Sequence, residues 1–260
     1  MTDLETTNDG GVLTVLLNRP ERKNAFTLDM IDLWAQALRD AQDDDSVRVV
    51  VLRGEGDAFC SGIDLDTIDD AGTTPLARKA ILHERVQHVP RAVERLEKPL
   101  IACVSGPAVG AGMDMALMCD LRFAARSARF CESYIRVGLI PGAGGLYFLP
   151  RIVGTPKALE LFLTGDFVDG EEAHRIGLVN RVYDDDQLLD ATYEFARKLA
   201  AGPPISTRVI KRALYQSTRI DLQTSLDLAS SHMAVIQSTQ DSREALAAFR
   251  ERRAAEYVGH

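Results

Sequence analysis

Between Val47 and Leu52 the chain reads VRVVVL, an almost continuous β-branched run. A strand with one wet face alternates apolar and polar residues, and this one does not. It is therefore expected to be covered on both faces, as in a parallel sheet flanked by helices. PLIACVSG, residues 99–106, repeats the pattern. Around these runs the spacing predicts further strands at Val12–Leu17, LRFAA, RFCES and LVNRVY. Helices are expected over TLDMIDLWAQALRDA, MDMALMCD, TPKALELFLTG and DGEEAHRIG. In the first, Thr27 is the expected N-cap, with Met30, Leu33, Trp34, Ala37 and Leu38 as the apolar stripe. Thr155 and Asp169 are expected to cap the last two, which Gly165 and Gly177 end. A longer helical region, about Pro75 to Glu97, contains Pro90, which should break or kink it. From about Leu188 onward the pattern is helical, and Asp241 with Glu244 has capping-box spacing. Strands alternating with helices make an α/β fold with a largely parallel sheet and a helical C-terminal segment.

The 260 residues, 46% of them hydrophobic, suffice for one sizeable core. A net charge of -8 without a basic stripe argues against nucleic acid as a partner. No apolar run approaches the roughly 20 residues needed to span a bilayer, so no membrane association is expected. MTDLETTNDGG is acidic and polar, unlike a secretory signal, and a cytoplasmic location is expected. Cys60, Cys103, Cys119 and Cys131 show no CxxC pair and read as buried free thiols. The five histidines lack ligand spacing, so no metal is expected.

GPAVGAGMDMAL, from Gly106 to Leu117, places three glycines ahead of a lone carboxylate, Asp114. GAGMDM begins as a dinucleotide fingerprint, but Met115 stands where the third glycine belongs, and the nearest following acid, Asp120, is far too close. No Lys-Ser/Thr follows, which excludes a P-loop, and Cys103 excludes the GxSxG elbow of a serine hydrolase. A tight turn with close helix packing would use such glycines. So would a helix N-terminus whose unpaired amides hold a developing oxyanion. GDAFCSGIDL, Gly56 to Leu65, follows the Val47–Leu52 strand in the same way. Two such turns on neighbouring strands could aim two amides at one carbonyl oxygen.

AFCSGIDL, KPLIACVSGPAVGAGMDMALMCDLRFAA and VGLIPGAGG resemble the crotonase superfamily, the enoyl-CoA hydratase/isomerase family. NRPERKNAF and LTGDFVDGEEAHRIGLVNRV resemble it too, and the order is kept over almost the whole chain. The resemblance implies ββα units wound into a superhelix, with residues 1–200 as the acyl-CoA-binding core. Residues 201–260 would be a C-terminal helical trimerisation region, giving a homotrimer or homohexamer. It implies an acyl-CoA substrate, in fatty acid metabolism, with coenzyme A entering as part of the substrate and no separate cofactor. The oxyanion amides fall on Ile63 and Ala111. Arg22, Lys23, Ala25, Ser61 and Asp64 fall where the family meets coenzyme A, and Gly110 and Gly142 line the substrate.

The chain departs from the pattern at its acids. Hydratases of the family carry two glutamates, which fall on Asp114 and Tyr134. A dienoyl-CoA isomerase subgroup shares the aspartate but adds acids at the positions of Tyr134 and Gly142. A subgroup that isomerises a ring epoxide on CoA carries an aspartate at Gly142. Asp114 is thus the retained acid. Glu132 lies two residues before Tyr134, and on an extended stretch the two would share a face. Asp114, Glu132 and Tyr134 are the expected catalytic residues of an enzyme, nominally an enoyl-CoA hydratase. The alternatives are an enoyl- or dienoyl-CoA isomerase using Asp114 alone, a non-catalytic acyl-CoA binder, and a CoA-thioester hydrolase or decarboxylase.

Overall fold

The computed structural model describes residues 2–64, 66, 67 and 74–260; Leu65, which ends the second glycine-bearing loop, lies outside them. Six strands form the main sheet: β1 (Leu4–Asp9), β2 (Val12–Leu17), β3 (Val49–Gly54), β4 (Leu100–Val104), β6 (Leu121–Ala125) and β9 (Arg181–Tyr183). They lie in that order, antiparallel between β1 and β2 and parallel thereafter. β1 is absent from the sequence expectation because its residues, LETTND, are polar and mostly exposed. Its signal is Gly10-Gly11, both at positive φ, the two-residue loop of a hairpin that pairs Asp9 with Val12. β3 starts two residues later than expected, because the Val47 amide closes a turn onto the carbonyl of Asp44.

A second, three-stranded sheet holds β5 (Pro107–Val109), β7 (Arg129–Cys131) and β8 (Val168–Asp169). After three of the main-sheet strands the chain crosses to this small sheet: β4 to β5, β6 to β7, and β3 to a bridge between Cys60 and Ala108. The repeated step from large sheet to small sheet is the expected ββα coil. Its turns touch through backbone. A Cβ on Gly106 would overlap the carbonyl oxygen of Asp57, and one on Gly112 that of Cys60.

Helix α1 (Leu28–Asp43) is capped by Thr27, whose hydroxyl accepts the Met30 amide at 3.2 Å. It buries Met30, Ile31, Trp34, Ala35, Leu38 and Ala41. Leu33, expected in this stripe, is 48% exposed. The fully buried Lys98 donates from Nζ to the carbonyls of Ala41 and Asp44 at 2.5 and 2.6 Å, at the end of α1. The region around Pro90 divides into α2 (Pro75–Ile81), a π-helical turn over Leu82–Val86, and α3 (His88–Arg95). Pro90 stands in the first turn of α3, where its missing N–H costs nothing.

Helix α4 (Ala111–Leu117) is buried throughout. A 3-10 turn, Ser133–Val137, follows β7, so Glu132 lies beyond the strand rather than within it. Next come α5 (Gly145–Val153), α6 (Thr155–Thr164) and α7 (Gly170–Arg175). Gly154, not Thr155, stands at the N-cap of α6, and Thr155 is already helical. Asp169 caps α7 as expected, accepting the Glu172 amide at 2.9 Å. Four helices close the chain: α8 (Leu188–Ala200), α9 (Pro204–Ser217), α10 (Leu222–Gln237) and α11 (Gln240–Glu251). The expected 241/244 capping box does not form. Thr239 caps α11, while Asp241 turns inward to the amides of Val258 and Gly259 and Glu244 pairs with Arg253. Neither α9 nor α10 buries a residue. The four cysteines are buried and free, and among the described residues no helix is long and apolar enough to cross a membrane.

Candidate active site

The two glycine-bearing turns meet. Phe26 donates to the carbonyl of Gly62, and the Asp64 amide donates back to Phe26, both at 2.9 Å. These two bonds use the amides on either side of Ile63, whose own N–H therefore faces away from Phe26. Gly62, at φ +101°, is pressed against the other turn: a Cβ there would lie 3.0 Å from the Val109 oxygen and 3.4 Å from the Ala111 nitrogen. Ala111 is the first residue of α4, so its amide has no partner within the helix. Among the described residues neither the Ile63 nor the Ala111 amide donates to a backbone carbonyl. Gly110, at φ +53°, sets up this turn and ties it to β7 through Cys131 at 2.7 Å.

One helical turn on, Asp114 is fully buried. Its Oδ2 accepts the Tyr134 hydroxyl at 2.8 Å and the Ala143 amide at 3.1 Å. Among the described residues its Oδ1 has no hydrogen-bond partner, nor does either oxygen of Glu132, which is 1% exposed. The carboxyls approach each other across Gly145, where a Cβ would overlap Asp114 Oδ1 and stand 3.0 Å from Glu132 Oε1. Asp114, Glu132 and Tyr134 thus converge, although the 3-10 turn, not an extended strand, brings the last two together. Burial raises the pKa of Asp114, against the opposing hydrogen bond from Tyr134. Burial first, then the nearby Asp114 charge, pushes Glu132 up to about 10. The same two causes hold Tyr134 well above the usual phenol range.

Arg22 and Lys23 are exposed beside Ser61, and Arg22 pairs with Asp66 at 3.6 Å. Lys23 and Asn24 both adopt left-handed backbone, at φ 52° and 55°, a strained pair held by the fully buried side chain of Asn24. Asn24 Nδ2 donates to the carbonyls of Glu55 and Ala58 at 2.9 and 2.8 Å, and Oδ1 accepts the Arg19 amide. In the sequence the signal for Asn24 is its position inside NRPERKNAF. Ser61 is exposed beside Lys23 and donates from Oγ to the Arg22 carbonyl at 3.3 Å. Lys23 itself pairs with Asp57. Ala25 is half-buried, its carbonyl accepting Arg19 Nη1 at 2.5 Å. The carboxylate of Asp64 is buried against Arg19 at 3.1 Å and ties down the loop. Gly142 accepts from Gln87 at 3.0 Å and lies under Leu82, whose methyls would stand 3.2 Å from a Cβ.

Residues 7–260 match the enoyl-CoA hydratase/isomerase family. The chain belongs to that family. A 1,2-epoxyphenylacetyl-CoA isomerase from Escherichia coli K12 is 37% identical, covering 96% of this chain and 95% of that one. A short-chain-enoyl-CoA hydratase from Clostridium acetobutylicum is 34% identical, over 95% and 94%. The crystal structure of an enoyl-CoA hydratase from Bacillus anthracis superposes with a TM-score of 0.94 at 32% identity, over all of both chains. The two-sheet coil is thus the crotonase fold. Within the enoyl-CoA hydratase/isomerase family, relatives of similar identity carry hydratase and isomerase names. The side chains around Asp114 bear on which chemistry this member performs.

Proposed function

We propose that the chain isomerises the double bond of an enoyl-CoA thioester, with Asp114 as the one proton-carrying base. The observation behind this reading is that Tyr134 and Glu132, the groups in reach that could hold a water, are both packed on Asp114 itself. Hydration needs a water oriented between two polar groups. Moving a double bond needs one carboxylate that takes a proton and returns it elsewhere. Asp114 removes a proton from C2 of a 3-enoyl thioester, and charge gathers on the thioester oxygen. The Ile63 and Ala111 amides stabilise that oxyanion, one such donor being worth about 3–4 kcal/mol. The electrons shift to join C2 and C3, and the proton returns at C4. Arg22 and Lys23 meet the coenzyme A phosphates, Ala25 and Ser61 its neighbouring portion, and Gly110 and Gly142 the acyl part. Coenzyme A enters as part of the substrate, without a separate cofactor.

Hydration is the second reading, supported by the hydratase names of relatives such as that from Clostridium acetobutylicum. Supplying 3-enoyl-CoA and crotonyl-CoA separately, and following the conjugated enoyl-thioester absorbance, tests the two. Absorbance growing from 3-enoyl-CoA with crotonyl-CoA untouched supports isomerisation. Loss of crotonyl-CoA absorbance supports hydration, and release of free thiol would mean hydrolysis. Binding without turnover would leave an acyl-CoA-binding protein.

A further inference from the structure

Among the described residues three buried carboxyl oxygens lack a hydrogen-bond partner, Asp114 Oδ1 and both oxygens of Glu132, and of these Asp114 Oδ1 and Glu132 Oε1 face each other across Gly145. The titratable groups facing Glu132 are Asp114 from α4 and Tyr134 from the 3-10 turn, with the Cys131 thiol beside it on β7. Among the described residues none of these brings a positive charge. Two adjacent buried carboxylates without a cation would repel in a medium that screens poorly. The absent side chain of Gly145 lets the carboxyls approach.

We propose that Asp114 and Glu132 hold a single proton between them, carried by Glu132, which acts as a positioning residue for the base. The inference rests on the reading of Asp114 as that base. The Glu132 hydroxyl donates to one lone pair of Asp114 Oδ1 and leaves the other for substrate, because Oδ2 is already filled by Tyr134 and Ala143. Before reaction the pair carries one negative charge. When Asp114 Oδ1 takes the proton from C2, the pair holds two protons and no charge. Return of that proton at C4 restores the single charge. At no stage do two carboxylates face each other. Burial and the Asp114 charge, which push Glu132 up to about 10, agree with this assignment.

The experiment compares wild type with Glu132→Gln, first without substrate. In the fold Glu132 keeps a proton that the unfolded chain releases above about pH 4.3. Stability therefore falls as pH rises from there towards 10, and Glu132→Gln removes the fall. Its gain in Tm over wild type should grow between about pH 5 and pH 8.5. A gain, or loss, that stays constant over that range overturns the shared proton. Should Glu132→Gln not fold, infrared spectra of the wild type decide: a protonated-carboxyl band present in the folded chain at neutral pH and lost on unfolding supports the pair, and its absence overturns it. With substrate, the wild-type rate falls at alkaline pH as Glu132 loses its proton, and Glu132→Gln lacks that fall. Glu132→Leu, which cannot donate, lowers kcat by about tenfold or more with little change in KM. An alkaline fall unchanged in Glu132→Gln would overturn the positioning role. A pH-dependent Tm gain in a protein inert towards acyl-CoA would leave the pair standing and sink the isomerase reading.

Discussion

The two oxygens of Asp114 live in different surroundings, one holding two donors and one bare, so changes around each have different results. Asp114→Asn keeps the shape and removes the base. Turnover should drop by about 10²–10⁴-fold, the usual contribution of a positioned acid or base, while acyl-CoA affinity stays nearly constant. Steady-state rates beside a binding titration check this, and a near-wild-type rate would place the chemistry elsewhere. Tyr134→Phe separates the two reactions. If Tyr134 orients or protonates a water, hydration falls by about 10²–10⁴-fold. If it only steadies the Asp114 carboxylate, isomerisation falls by about tenfold, the worth of one hydrogen bond to a charged group.

At the scale of elements, the end of α1 offers a measurement independent of catalysis. Lys98→Met keeps the stem and strips two carbonyls of their buried donor. Denaturant unfolding should show a loss of about 1–3 kcal/mol, the cost of an unsatisfied buried group. An unchanged midpoint would mean those carbonyls find water. This donor was not anticipated from the sequence, because Lys98 sits in KPLIACV as an ordinary charge ahead of a strand. The elements that could be read were those whose local pattern agrees with their final burial: β2, β3 and β4 from nearly continuous apolar runs, α1 from Thr27, α7 from Asp169. The misread ones were settled by tertiary partners. β1 is a polar edge made by pairing, Leu33 faces outward because the stripe turned towards Ile31 and Ala35, and Asp241 was drawn inward by the amides of the chain's last residues. In the candidate site, Asp114 and the two amide turns followed from small residues ahead of an acid. The inward turn of Asp64 towards Arg19 and the meeting of Asp114 with Glu132 at Gly145 depend on pairings distant in sequence, which no short motif carries.

For the whole molecule, the C-terminal helices present an unfinished surface. Leu222, Leu226, Met233 and Val235 on α10 are all more than half exposed. A soluble chain rarely leaves such a helix bare, and it marks a contact surface. Light scattering at micromolar concentration should give a trimer, or twice that mass, and a monomer would refute the assignment. Leu226→Asp should lower the mass without altering the core, since this side chain is not part of it. The backbone contacts between turns of the coil have a different consequence, one for sequence divergence. Gly106 rests on the peptide group of Asp57 and Gly112 on the peptide group and Cβ of Cys60, so neither position admits a larger residue. The side chains of the core can then be exchanged over long descent while the gap between the Ile63 and Ala111 amides is held chiefly by atoms that every amino acid shares.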